Sequence, residues 1–237
     1  MTIVFSDSHC QPDRLSPQIA WVIARAVNER EPLVGVGDLF DLLPWGYDAF
    51  ADCPAVKELV ELLDGYLFDY VAGNHDPYRW VKRLFAPYGN IKVHRRFDSL
   101  GLHFRHGHGW SIDWWFLQHF ASDFVEFMAD YFPRPWYWCS RKMGWIPSMK
   151  KPARMEESTM YNEAIGVVWN NAVKYAQNHG VTVIVGHTHA AAKLETLYGG
   201  RRVVLADGGN LSEGTYLQIR GRHIRLCQVP HGEVRAG

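Results

Sequence analysis

Five short polar clusters constrain this chain most, because each follows an apolar, β-rich run and together they gather aspartates, histidines and an asparagine. They are Asp7-Ser8-His9 after Thr2 to Phe5, Gly37-Asp38-Leu39-Phe40-Asp41 after Leu33 to Val36, and Gly73-Asn74-His75-Asp76 after Tyr66 to Val71; His106-Gly107-His108 follows Leu102 to Arg105, and Gly186-His187-Thr188-His189 follows Val181 to Val185. Ligand sites in open α/β sheets gather beyond the carboxyl ends of strands, so clusters far apart in sequence can converge there. The glycines let the backbone turn tightly and come close to a ligand.

The segments between the clusters read as helices. Ser16-Pro17 is an N-cap and first-turn pair opening a helix with Ile19, Val22, Ile23, Ala26 and Val27 inward. Val56 to Leu63 forms a second helix closed by Gly65, and Asp76-Pro77 caps a third that carries Trp80, Val81, Leu84 and Phe85. A strand is expected at Ile91 to His94, and a helix from about 112 to 132 has His119, Asp123, Glu126 and Asp130 on its polar side. Another helix, about 156 to 178, carries Tyr161, Ile165, Val168, Ala172 and Ala176 on one stripe, and strands return at Val203 to Ala206, Thr215 to Ile219 and His223 to Val229. Strands alternating with helices imply a sheet with helices on its faces.

Imidazoles, carboxylates and an amide oxygen make a mixed donor set that suits Mn, Fe or Zn and is too rich in nitrogen for Ca or Mg. Each motif alone has a plainer reading. Asp-x-His can satisfy loop backbone groups, Asn74 and Asp76 can cap the helix at Pro77, and His103 or His108 can stand in for His106. The strand end and the glycine that follows favour His106.

Asp-x-His, Gly-Asp-x-x-Asp, Gly-Asn-His-Asp, a lone His and Gly-His-x-His, in this order from Asp7 to His189, resemble the signature of the calcineurin-like metallophosphoesterases. The resemblance implies an α/β fold, a β-sandwich flanked by helices (αββα). It implies one metal held by Asp7, His9, Asp38 and His189 and a second by Asp38, Asn74, His106 and His187, with Asp38 bridging. The expected cofactors are two divalent ions, Mn foremost, with Fe or Zn as alternatives. Two such ions roughly 3.5 to 4 Å apart clamp phosphate oxygens and lower the pKa of a shared water, so a bridging hydroxide hydrolyses a phosphate ester or pyrophosphate bond. By the same resemblance His75 is the proton donor to the leaving group or an electrostatic brace, with Asp41 orienting its imidazole. A binding scaffold without catalysis would lack a ligand or the acid, and none is missing.

One domain, residues 1–237, is expected, with a helical cap insertion at 110–155. Six of the ten tryptophans lie there, at Trp110, Trp114, Trp115, Trp136, Trp138 and Trp145. Arg134, Arg141, Lys142, Lys150, Lys151 and Arg154 lie there too, with no acidic residue among them. The plain account is a cap with its own small aromatic core and solvated cations. The sharper one makes the cap a substrate reader that binds a second phosphate or an acyl chain, stacks a base, or touches a membrane surface. A helical insertion at this place resembles the UDP-2,3-diacylglucosamine pyrophosphatases, although those carry Arg where this chain has His75 and Asp where it has His108. A nucleotide phosphodiesterase or a broad phosphomonoesterase is the alternative, and a second-shell role for His108 stays open.

Formal net charge is zero, with 25 basic and 25 acidic side chains, so no whole-molecule field draws the chain to nucleic acid and no specific nucleic-acid partner is expected. The expected partner is a phosphorylated small molecule or lipid-linked substrate. No run reaches the roughly 18 apolar residues of a spanning helix, and Cys10, Cys53, Cys139 and Cys227 are too scattered for a disulfide framework. A cytoplasmic protein, peripheral at a membrane at most, is the expectation.

Overall fold

A computed structural model describes residues 1–99, 101–108, 127, 128, 131, 132, 135, 138, 159–189, 191–198, 201–207, 211, 214–221 and 223–230. Eleven strands are formed among them: β1 (Thr2–Phe5), β2 (Leu33–Val36), β3 (Phe68–Val71), β4 (Ile91–His94), β5 (Phe97–Ser99), β6 (Leu102–Arg105), β7 (Thr182–Val185), β8 (Ala192–Tyr198), β9 (Arg201–Asp207), β10 (Thr215–Arg220) and β11 (His223–Gln228). The helices described over their whole span are α1 (Pro17–Glu29), α2 (Leu42–Trp45), α3 (Tyr47–Phe50), α4 (Pro54–Leu63), α5 (Tyr78–Phe85) and α6 (Thr159–His179).

The strands form two sheets. The first runs β11-β10-β1-β2-β3-β4 and the second β5-β6-β7-β9-β8. β1 to β4 are parallel, as are β6, β7 and β9, while β10, β11, β5 and β8 pair antiparallel toward the edges.

Alternation along the strands decides what each face meets. Ile3 and Phe5 turn outward with Leu33, Phe68 and Tyr70, under Ile19, Val22 and Ile23 of α1, Val56, Leu59 and Leu63 of α4, and Val81, Leu84 and Phe85 of α5. Val4, Val34, Val36, Val71, Leu217 and Ile219 turn inward against Leu102, Phe104 and Ile184 of the second sheet. Val183 and Val185 face the other way, onto Val168, Ala172 and Ala176 of α6. The order is helix, sheet, sheet, helix, which is the expected αββα sandwich.

Local signals explain most boundaries. Ile19 N–H donates to the Ser16 hydroxyl at 3.3 Å and Pro17 fills the first turn of α1. The α4 helix starts at Pro54, two residues before the expected place, and Asp64 ends it in the left-handed region at φ 43°. The expectation for Asp76 is overturned, because Pro77 stands at the N-cap of α5 and makes no side-chain cap. The Asp76 carboxylate is committed elsewhere. Strands β5 and β8 were not anticipated. The predicted helix at 112–132 and the cap at 110–155 lie outside the described residues, apart from 127, 128, 131, 132, 135 and 138. No helix among the described residues is long and apolar enough to cross a membrane.

Candidate metal centre

The five clusters follow β1, β2, β3, β6 and β7 and meet at one end of the sandwich. Backbone hydrogen bonds tie the first three loops together. Asp7 N–H donates to Gly37 O at 3.0 Å, Ser8 and His9 N–H both donate to Asp38 O at 2.9 Å, and Cys10 N–H donates to Leu39 O at 2.9 Å. The third loop joins through Leu43 N–H to His75 O at 2.9 Å.

Seven non-glycine residues among those described have positive φ. Two, Arg30 and Asp64, end helices. The other five are Asp7 (52°), His9 (49°), Asp38 (52°), His187 (76°) and His189 (55°). The left-handed region costs an L residue about 1 to 2 kcal/mol, and such strain collects at ligand clamps where the surroundings over-determine it. Two glycines leave the space these loops occupy. A Cβ on Gly37 would lie 2.1 Å from His106 Nδ1, and one on Gly73 would lie 2.0 Å from Asp38 Oδ1.

Three groups of side chains present ligand atoms within 4.8 Å of one another: Asp7, His9 and His189; His9, Asp38 and His75; and Asp38, His106 and His187. Each group is of a composition that could hold a metal ion. Among these donors, His9 Nε2 lies 3.2 Å from His189 Nε2, His189 Nε2 lies 3.3 Å from Asp7 Oδ1, and His106 Nε2 lies 3.2 Å from Asp38 Oδ2. Asn74 Oδ1 is 3.0 Å from His106 Nε2, which brings the amide oxygen to the same place. With Asp41, which bonds to His9 and His75, all nine site residues expected from the sequence lie together. Of the three neighbouring histidines, only His106 enters a donor group. His103 Nδ1 bonds to Asp98 Oδ1 at 2.8 Å and its ring stacks on Tyr175. The His108 ring stands 5.5 Å from that of His106 and 6.4 Å from that of His187.

Hydrogen bonds fix which imidazole nitrogen faces the donors. His106 Nδ1–H donates to Val36 O at 2.9 Å, so Nε2 faces Asp38 and Asn74. A single oxygen, Asp41 Oδ1, accepts from His9 Nδ1 at 2.8 Å and from His75 Nδ1 at 3.0 Å. Its partnership with His9 has no signature in the sequence. Backbone N–H groups hold the carboxylates of Asp7 and Asp38: His187 N–H reaches both Asp7 oxygens, at 3.1 and 2.9 Å, and His75 N–H reaches Asp38 Oδ1 at 2.8 Å.

The side chains of the site form a crowd of imidazoles around the carboxylates of Asp7, Asp38 and Asp41, all three of them lowered in pKa. Burial alone would raise Asp7, but the His189 imidazole takes it down to about 2. Burial opposes a proton on His106, yet the adjacent Asp38 carboxylate prevails and pushes it up to about 10. His187 then goes the other way, down to about 3, through burial and the neighbouring His106. His9 and His75 are both raised, against burial, by Asp41 and Asp38. Protons thus occupy the places where cations would balance charge. Carboxylate, imidazole and amide oxygen on preset backbone are donors that fit divalent transition metals.

The residue that sequence reasoning undervalued is Asp76. It is fully buried and accepts from Asp38 N–H at 3.2 Å, Leu39 N–H at 2.9 Å, Phe40 N–H at 3.3 Å and Gly73 N–H at 2.7 Å, besides the Tyr70 hydroxyl. Burial and the nearby Asp38 push its carboxyl up to about 7. The bonds from Tyr70 and Gly73 work against that rise, since they favour the charged carboxylate. Gly35, within an otherwise valine-rich strand, makes room for the Tyr70 ring, from which a Cβ there would lie 2.7 Å.

No family model matches the chain, and no curated protein matches it. Solved structures similar to it over nearly their whole lengths include TT1561 of Thermus thermophilus, at 13% identity, covering 99% of this chain and 98% of that chain with a TM-score of 0.44. A Vps29 variant from Entamoeba histolytica matches at 13% identity over 96% of this chain and 97% of that one, TM-score 0.38. A phosphopantetheinyl hydrolase from Mycobacterium tuberculosis matches at 14% identity over 100% and 99%, TM-score 0.41.

Proposed function

We propose that the protein is a metal-dependent phosphoesterase that hydrolyses a phosphate ester or pyrophosphate bond. The observation that carries this is the meeting of two donor groups at strand ends: Asp7, His9 and His189 on one side and Asp38, His106 and His187 on the other. Asp7, His9, Asp38 and His189 would hold one divalent ion and Asp38, Asn74, His106 and His187 the other. Ions so bound supply Lewis-acid polarisation of phosphoryl oxygens and a lowered pKa for coordinated water.

The side chains prepare the rest. Asp41 fixes the His75 ring through Nδ1, which makes Nε2 the nitrogen that can carry a proton toward a leaving oxygen. Asp38 and Asp41 raise the pKa of His75 above its ordinary value against burial, which favours the protonated ring. The same Asp41 oxygen aims His9 Nε2 at the donor group. General-acid action is typically worth about 10²- to 10⁴-fold. His75→Ala should therefore lose that much on an alkyl phosphate and far less on a nitrophenyl phosphate, assayed with Mn²⁺. Equal losses on both would make His75 a brace, and no hydrolysis of any mono-, di- or pyrophosphate by the unaltered protein would remove the proposal.

We infer further that a part of the substrate beyond its phosphate is read by the segment 110–155. Within that segment Phe127, Tyr131, Phe132 and Trp138 are 44 to 58% exposed, and the Arg79 guanidinium lies 3.6 Å over the Tyr131 ring. Aromatic faces beside a cation suit an amphiphilic or multiply phosphorylated molecule, of which a nucleotide-linked lipid is one form and a nucleotide another. Deleting residues 112–150 should spare a nitrophenyl ester and abolish turnover of the larger substrate. Equal loss of both by a folded, metal-loaded protein would make the segment structural.

A further inference from the structure

Tyr70 pairs with Gly35 across β2 and β3, and both it and Asp76 are fully buried beneath the metal centre's second loop. The Tyr70 hydroxyl accepts from Leu39 N–H at 2.9 Å and donates to Asp76 Oδ2. Asp76 in turn gathers the three successive N–H groups of Asp38, Leu39 and Phe40, and ties them to Gly73 of the third loop. Three consecutive amides can converge on one carboxylate only where the chain curls, here through Gly37 at φ 81° and Asp38 at φ 52°. The Asp38 carboxylate meets His106 Nε2 and accepts from the His75 N–H.

We infer that Tyr70 and Asp76 are positioning residues that hold Asp38 in its left-handed conformation, and with it the carboxylate shared by both cation sites. This rests on the reading of Asp38 as the shared ligand. Neither residue enters a donor group, so their effect passes through the Asp38 backbone. Tyr70→Phe removes only a hydroxyl and leaves the ring that Gly35 accommodates; Leu39 N–H keeps Asp76 as acceptor. A positional fault in a shared ligand should weaken both cation sites together, and partners that orient ligands are typically worth about 10- to 100-fold in metal affinity.

The test is Mn²⁺ titration calorimetry on the full chain for the unaltered protein, Tyr70→Phe, Asp76→Asn, Asp38→Asn, and Asp38→Asn combined with Tyr70→Phe, with circular dichroism and melting temperature for each. The expected result is a 10-fold or greater loss of affinity at both sites for Tyr70→Phe and Asp76→Asn. Adding Tyr70→Phe to Asp38→Asn should then give almost no further loss. Native affinity in a folded Tyr70→Phe, or an equal loss with and without Asp38, would overturn the positioning role. So would loss of folded structure in both Tyr70→Phe and Asp76→Asn, which would assign the pair to stability. If Asp38→Asn itself binds two ions with native affinity, it is the shared-ligand reading that fails.

Discussion

Gly37→Ala tests whether the second loop is held by contact with the metal centre or merely by its own turn. Gly37 has φ 81°, and a Cβ there would lie 2.1 Å from His106 Nδ1 and 2.4 Å from Cγ. The ring is not the loose end of a flexible chain, because Nδ1 bonds to Val36 O at 2.9 Å and the histidine is fully buried. Left-handed strain costs about 1 to 2 kcal/mol, overpacking roughly 1 to 3 kcal/mol, and loss of the Val36 bond about 1 kcal/mol. Together these give a destabilisation of about 3 to 6 kcal/mol, and at about 2 to 4 °C per kcal/mol for a chain of this size the melting temperature should fall by roughly 6 °C or more. Gly65→Ala is the control, since Gly65 has φ 76° but nothing within 4 Å of its would-be Cβ, so only the strain is added. Calorimetric melts in chelator would read the stability difference, and Mn²⁺ titration would read the displaced His106. If Gly37→Ala melts with Gly65→Ala and binds Mn²⁺ like the unaltered protein, the contact of loop and imidazole is not what shapes the site.

Other perturbations probe other links. Asp41→Ala removes the acceptor shared by His9 and His75, so it should lower both metal affinity, about 10- to 100-fold, and turnover on poor leaving groups; a change in turnover alone would confine Asp41 to His75. In the metal-free protein the His106 proton, with its pKa raised from 6.5 to about 10, contributes stability that is complete below pH 6.5 and lost as pH rises through 10. The urea midpoint in chelator should therefore fall between about pH 7 and pH 10, while Mn²⁺ affinity rises over the same window because the cation displaces that proton; a flat affinity would contradict it. Asp7, lowered to about 2, contributes stability present above pH 3.8 and lost as pH falls through 2, so Asp7→Asn should flatten the acid limb of the stability curve. Ser16→Ala should cost about 1 kcal/mol through the α1 cap and leave Mn²⁺ binding unchanged.

The sandwich was legible because its signals are local and repeated. Ser16-Pro17, the apolar stripe of α1 and the polar clusters after β1, β2, β3, β6 and β7 each specify a turn or a face from a few neighbouring residues. Strand β5 was missed because Phe97–Ser99 is only three residues long, too short for alternation to show. The Asp76 error has a plain cause: an aspartate before proline is a good cap by rule, but burial beside three N–H groups of another loop that need an acceptor outweighs a cap that water could replace. Asp41 bonding to His9 as well as His75 joins residues 32 positions apart, and no spacing rule reaches that far.

The loops that supply donors come from both sheets. Asp7, His9, Asp38 and Asn74 follow strands of the first sheet, and His106, His187 and His189 follow strands of the second. Between the sheets lies a seam of valine, leucine, isoleucine and phenylalanine, closed by packing at Val4, Val36, Phe104, Ile184 and their neighbours. A cation liganded by Asp38 and His106 would fasten that seam at one end, much as a rivet fastens two plates. Its occupancy at about 100 times its dissociation constant adds about 2.7 kcal/mol against unfolding, and that increment would be felt where the plates part. Hydrogen exchange at the amides of β2 and β6 should slow together when Mn²⁺ is added, although neither strand contributes a ligand from within its own span.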